Sequence, residues 1–154
     1  MEKIITWHDH WTLHIDTLDE DHHALVELLS DLARCFATEP GEGSGSDELA
    51  DCAGVDLFAA LEQLGAHARE HFRREEEFMR GIDYPGLAEH RTEHALLMAE
   101  YTELVRDLKE QGVRHIDEKT LETLKHWLIA HILGADRGFA DVYFQLCGEQ
   151  PGRR

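Results

Sequence analysis

Four stretches of this chain repeat apolar residues at alternating spacings of four and three, the period that keeps one stripe of an α-helix against a partner. The first reads Leu18, His22, Leu25, Leu29, Leu32, Phe36, and the second Leu57, Leu61, Leu64, Ala68, His71, Glu75, Phe78, Ile82. The third reads Leu87, His90, His94, Leu97, Tyr101, Leu104, Leu108, and the fourth Leu121, Leu124, Leu128, His131, Ala135. No strand-like alternation runs for any length. Four such helices joined by two short connections and one longer one predict an all-α fold: an antiparallel up-down-up-down four-helix bundle with an N-terminal arm.

The boundaries follow from local signals. Residues 1–16 form the arm, with Trp7 and Trp11 packing on the bundle. The first helix is expected from about Asp19 to Ala37, with Asp19 or Thr17 as its N-cap. Residues 39–54, rich in Gly, Ser and acid, read as a flexible linker. The second helix runs to about Arg80, and the turn GIDYPG places Pro85 at the start of the third, which Gly112 ends. Asp117 caps the fourth helix; FADVYFQL beyond Gly138 reads as a short terminal helix, and residues 147–154 as a frayed tail. The whole, 1–154, is read as one domain.

Composition narrows the partners. A net charge of −17 argues against nucleic acid and anionic membrane, both of which call for basic patches. No apolar run approaches membrane-helix length, and the N-terminus MEKIITWHDH has no signal-peptide pattern, so a cytoplasmic protein without membrane insertion is expected. The like charge also favours a monomer or weak oligomer. Cys35, Cys52 and Cys147 lack metal-type spacing, and an odd, scattered set fits a reducing compartment better than a disulfide framework.

The seams carry a contradiction. His22, His71, Glu75, His90, His94 and His131 occupy positions where a bundle core wants leucine. Buried polar groups need partners, and a buried carboxylate needs a charge or a metal. His22 is near the start of the first helix and His71 with Glu75 near the end of the second. His90 and His94 open the third, and His131 lies toward the end of the fourth. In an antiparallel bundle these four regions share one end. Separate core histidines would have no reason to gather there.

Asp136 belongs with them on one condition. Five residues beyond His131, it would point some 140° away on an ideal helix. A π-type turn would bring the two together, eased by Gly134, whereas a regular helix would leave Asp136 in solvent. Five imidazoles, two carboxylates bridging through both oxygens, and one solvent-derived bridge leave one position open on a pair of octahedral metals.

With these pieces assembled, the chain resembles the bacterial hemerythrins over nearly its whole length. The matching segments are WHDHWTLHIDTLDEDH ending at His22, HFRREE from His71, HRTEH from His90 to His94, and WLIAHILGAD ending at Asp136. The resemblance implies two iron ions with an oxo or hydroxo bridge, binding dioxygen. In that pattern His90, His94 and His131 hold one iron, His22 and His71 hold the other, which has the vacancy, and Glu75 and Asp136 bridge. The chain departs from the pattern at His14, where relatives usually have glycine, at Asp21, where they often have glutamine, and in its longer linker.

Residues adjacent to the ligands, or one turn away, are candidates for a dry lining of the oxygen pocket: Leu25, Phe72, Trp127, Leu128, Ile132 and Phe139. The HxxEH pattern of residues 90–94 also matches a zinc protease, but that reading leaves His22, His71, Glu75 and Asp136 unexplained. His67 is read as a flanking residue, His8, His10, His23, His115 and His126 as surface residues, and Glu76 and Glu77 as a solvated face. The function expected is reversible dioxygen binding for carriage, storage or delivery, with no enzymatic turnover. The alternatives are an oxygen or redox sensor and a di-iron oxidase, peroxidase or nitric-oxide-handling enzyme. The sequence names no protein partner.

Overall fold

A computed structural model describes residues 9–36 and 56–147. A 3-10 turn at Asp9–Trp11 leads into α1 (Asp16–Phe36). Then come α2 (Leu57–Gly81), α3 (Leu87–Gln111) and α4 (Glu118–His131). A π-helical turn, Ile132–Asp136, joins α4 to α5 (Arg137–Cys147) without a break. Trp7, the linker at 39–54, Cys52 and residues 148–154 lie outside the described residues.

The helix ends have identifiable causes. The Asp56 carboxylate accepts from the amides of Phe58 and Ala59, and the Asp117 carboxylate from that of Thr120, so two N-termini are capped by side chains. Gly112 closes α3 with a left-handed φ of 67°, where a side chain would be strained. Pro85 sits in the turn before α3, whose cap is Gly86. The first helix begins three residues earlier than expected, and Asp19 is not its cap. Instead its buried carboxylate reaches back to the amides of Leu13 (2.8 Å) and His14 (2.9 Å), clamping the arm. That clamp holds exposed His14 at φ 67°, the conformation that favours glycine.

The helices pack in a ring: α1 against α2, α2 against α3, and α4 back against α1. The Trp127 indole N–H donates to the Leu97 carbonyl (2.9 Å) and closes α4 onto α3. Two apolar clusters fill the interior. The larger includes Leu25, Leu29, Leu61, Leu64, Leu124 and Leu128, with Trp11 from the arm. The smaller, at the other end, joins Leu13, Ile15 and Leu18 to Met79, Phe139 and Ala140. At Gly65, a Cβ would stand 2.9 Å from Tyr101 Cε2, so this mid-helix glycine permits the close approach of α2 and α3.

Cys35 is disulfide-bonded, contrary to the free thiols expected from the scattered spacing. Pairing depends on which sulfurs the fold brings together, and separation along the chain does not report that. The cysteine pattern therefore lends no support to a reducing compartment. Among the described residues no helix is long and apolar enough to cross a membrane.

Candidate metal centre

His22, His71, Glu75, His90, His94, His131 and Asp136 meet at one level of the bundle, and every one is at least 96% buried. Five belong to α1–α3, from turns facing the same end, and His131 closes α4. The seventh arrives through the π-helical turn. Its closing amide, on Arg137, reaches the Ile132 carbonyl five residues back, and the extra residue rotates the Asp136 carboxylate into the interior.

The donor atoms fall into two groups that share both carboxylates. Glu75 Oε1 faces the Nε2 atoms of His94 (2.9 Å), His90 (3.0 Å) and His131 (3.5 Å). Asp136 Oδ1 faces His90 Nε2 and His131 Nε2, both at 2.9 Å. The opposite oxygens face the other two histidines: Asp136 Oδ2 lies 2.9 Å from His22 Nε2, and Glu75 Oε2 lies 3.3 Å from His71 Nε2. Each carboxylate thus turns one oxygen to each group. One group comprises three histidines and both carboxylates, the other two histidines and both carboxylates.

These contacts are poorly explained as hydrogen bonds alone. Glu75 Oε2, Asp136 Oδ2 and His131 Nε2 are buried without a hydrogen-bond partner, although donor atoms stand close by. His22 Nε2 and His71 Nε2 point at each other across 3.1 Å. Lone pairs converging on a shared point, with orphaned oxygens around it, fit a pair of cations.

Electrostatics agree. Burial disfavours the imidazolium form of His71, but hydrogen bonds to Asp21 and Glu75 and the nearby carboxylate charges outweigh it, raising its pKa to about 9. Burial opposes the charge of His90 as well, and Asp136 and Glu75 lift it to about 9. His22 and His131 shift upward through the same carboxylates against the same burial. Burial pushes Glu75 and Asp136 up, yet the surrounding histidines hold both below the usual carboxylate range. Two buried anions demand positive charge, which protons supply in the metal-free protein and bound cations supply when the imidazoles are neutral.

The outward edges of the imidazoles reveal three carboxylates whose roles the sequence reading missed. Asp21 Oδ2 stands 3.0 Å from His71 Nδ1 and Glu76 Oε2 2.7 Å from His94 Nδ1. Glu93 Oε2 approaches His131 Nδ1 at 3.6 Å. In the sequence Asp21 is a departure from the family pattern, Glu76 belongs to an acidic run that reads as a solvated face, and Glu93 is the glutamate of the HxxEH segment. A regularity links them. Each is the sequence neighbour of a donor on its own helix and faces a histidine on the next helix, α1 to α2, α2 to α3 and α3 to α4, Asp21 and Glu76 at hydrogen-bond distance and Glu93 just beyond it. About 100° of helical rotation separates neighbours, which turns these side chains from the interior toward the adjoining helix. Arg74 fixes Asp21 with a two-pronged grip, Nε to Oδ2 at 3.0 Å and Nη2 to Oδ1 at 2.7 Å.

Of the apolar candidates, Phe72 stacks on His94 at 4.1 Å between centroids and lies edge-on to His131 at 5.2 Å. Phe139 approaches His90 at 6.5 Å from the smaller cluster. Leu25, Leu128 and Ile132 are buried in the larger cluster. Trp127 is half-buried and stacks on Tyr101.

Comparison with known proteins points the same way. The hemerythrin HHE cation binding domain matches residues 13–143. The chain is 27% identical to a bacteriohemerythrin of Stenotrophomonas maltophilia over 90% of this chain and 80% of the relative. It is 29% identical to a myohemerythrin of Riftia pachyptila over 84% of this chain and 86% of the relative. A crystal structure of a hemerythrin mutant superposes with a TM-score of 0.68, at 18% identity over 91% of this chain and 97% of that one, a likeness in fold.

Proposed function

The chain belongs to the hemerythrin family, and on that premise we propose that it binds dioxygen reversibly, as a carrier, store or deliverer, at two iron ions. The proposed ligands are His22, His71, Glu75, His90, His94, His131 and Asp136. The unequal division of donors carries the reading. Nine donor atoms with a three-histidine and a two-histidine side leave the His22–His71 side short of one ligand, and a small molecule needs such a gap. Iron held there would supply one-electron chemistry.

The protein's own groups then act on access and basicity. Glu75 and Asp136 hold the two halves of the site at a fixed spacing, each through two oxygens. Asp21 and Glu76, accepting from His71 and His94, orient those rings and make them better donors. Phe72 and Phe139 set aromatic rings against the donor histidines, and with buried Leu25, Leu128 and Ile132 they would limit water and proton entry and so favour release of an intact ligand over hydrolysis or oxidation. Five imidazoles and two carboxylates also deliver less negative charge than the carboxylate-rich sites of ferritin-like bundles, which favours binding over bond cleavage.

The test is an optical titration. Anaerobically iron-loaded, reduced protein receives a pulse of oxygen and is then purged with nitrogen. A visible charge-transfer band that rises with oxygen and fades on purging supports the carrier reading. Direct conversion to the ferric state without reversal, or sustained oxygen consumption, would overturn it in favour of a sensor or an oxidase.

A further inference from the structure

The two sides of the metal centre differ in how the acid behind the histidine is itself held. Asp21, whose side chain is 14% exposed, meets Arg74 through both oxygens, Nη2 to Oδ1 at 2.7 Å and Nε to Oδ2 at 3.0 Å. Oδ2 is also the atom that faces His71 Nδ1 at 3.0 Å. Arg74 Nη1 reaches Glu70 Oε2 at 3.3 Å, so the guanidinium is anchored on its far side as well. On the other side, Glu76 Oε2 faces His94 Nδ1 at 2.7 Å, but Arg91 Nε stands 3.6 Å from Glu76 Oε1, beyond hydrogen-bond reach. Glu76 has no two-pronged grip among the described residues.

Arg74 follows His71 by three residues on α2, which sets it one turn along and about 60° round the helix. From there it reaches over to α1 and meets the acid that meets His71. Aspartate has two free side-chain torsions, and unheld at the edge of the bundle its carboxylate could turn to water. A guanidinium fork fixes both oxygens and hence the carboxylate plane. Exposed ion pairs usually contribute little, but a bidentate grip on a largely buried acid is the exception. Neighbouring Arg73 supplies the contrast. It bonds Glu70 at 3.2 Å and Glu77 at 2.7 Å, with all three side chains exposed, and its charge is spent on the surface.

We propose that Arg74 is a positioning residue for the His71 side of the site: it holds Asp21 where Oδ2 accepts from His71 Nδ1–H, and so keeps His71 Nε2 aimed at its metal. This rests on the metal centre proposed above.

The test titrates metal-free full-length chain with cobalt(II) by calorimetry, following the two binding events separately, with melting curves to confirm that each variant is folded. Arg74→Gln should weaken one event about tenfold, the same event that Asp21→Asn weakens, and leave the other within about threefold. Arg74→Lys should lose nearly as much, because an ammonium cannot grip both oxygens. Arg73→Gln should leave both events within about threefold. Arg74→Gln added to Asp21→Asn should cost little beyond Asp21→Asn alone, since both act through one hydrogen bond. In the proton spectrum of the cobalt-loaded protein, one metal-shifted imidazole N–H should exchange with deuterated water faster in Arg74→Gln than in the parent. Equal weakening of both events, full additivity with Asp21→Asn, parental affinity in Arg74→Lys, or a matching loss in Arg73→Gln would each overturn the proposal. A parent chain that binds no cobalt overturns the metal centre itself, whereas two normal events unmoved by Arg74→Gln overturn only the role of Arg74.

Discussion

Asp21→Asn should weaken one metal and spare the other. Asp21 sits outside the donor set, yet His71 Nδ1 lies 3.0 Å from its Oδ2, and Arg74 grips both of its oxygens. Asparagine keeps the shape and removes the charge. With its carbonyl in the place of Oδ2 it still accepts from His71 and Arg74 Nε, while its amide N–H₂ is set against Arg74 Nη2. One charge-assisted hydrogen bond is lost outright and another becomes neutral. Such bonds are worth about 1.5–3 kcal/mol against about 1 kcal/mol for neutral ones. Loss of a carboxylate behind a ligating histidine typically weakens metal binding about 10–100-fold, or about 1.4–2.7 kcal/mol. Because His71 faces the two-histidine group, the loss belongs to that group alone. Glu76→Gln is the mirror perturbation, acting through His94 on the three-histidine group. The assay is stepwise cobalt(II) or zinc titration of metal-free protein by calorimetry, with melting curves to confirm folding. Each variant should weaken a different one of the two binding events and leave the other within about threefold. Equal weakening of both events by either variant, or no weakening by Asp21→Asn, would refute the division of the site into two groups with separate outer supports.

Other consequences are measurable. Leu64 is 2% exposed in the larger cluster, so Leu64→Ala should cost about 2–5 kcal/mol in denaturant unfolding of the metal-free protein; a loss below about 1 kcal/mol would mean the core there collapses freely. His14→Gly removes left-handed strain of about 1–2 kcal/mol, partly offset by the added freedom of the unfolded chain, so the melting temperature should rise; a fall would show that the imidazole makes a stabilising contact. Saturating metal should raise the melting temperature by several degrees because only the folded chain gathers the donors, and an unchanged melting temperature would contradict metal binding at this cluster. Gly134→Ala should preserve metal stoichiometry, since an added Cβ meets nothing within 4 Å; loss of metal would show that the π-helical turn depends on glycine's backbone freedom.

Much of this architecture was legible because period and spacing are local properties of a helix. The seams identify their buried faces without reference to neighbours, and the antiparallel order sets the polar interruptions at one end. Asp136 is the sharpest instance. Five residues from His131 is incompatible with a shared face on a regular helix, so either the residue or the helix had to give way, and the helix did. Other features escaped for a common reason. Asp21, Glu76 and Glu93 look like any carboxylates on a solvated face until the rotation and spacing of the adjacent helix bring a histidine edge to meet them. Asp19 reads as a helix cap until the path of the arm directs its oxygens to Leu13 and His14 instead.

The sequence by itself determined which residues could not rest in an apolar core, and therefore that His22, His71, Glu75, His90, His94, His131 and Asp136 had to find one another. Burial penalties act on residue type and helix phase, and both are written in the chain. Only the tertiary structure decided how the donors divide into a three-histidine and a two-histidine side, which carboxylate oxygen faces which group, and which outer acid supports which ring. It also decided that Cys35 is bonded. These are distances between atoms on different helices, and they depend on packing angles and rotations that no single helix specifies.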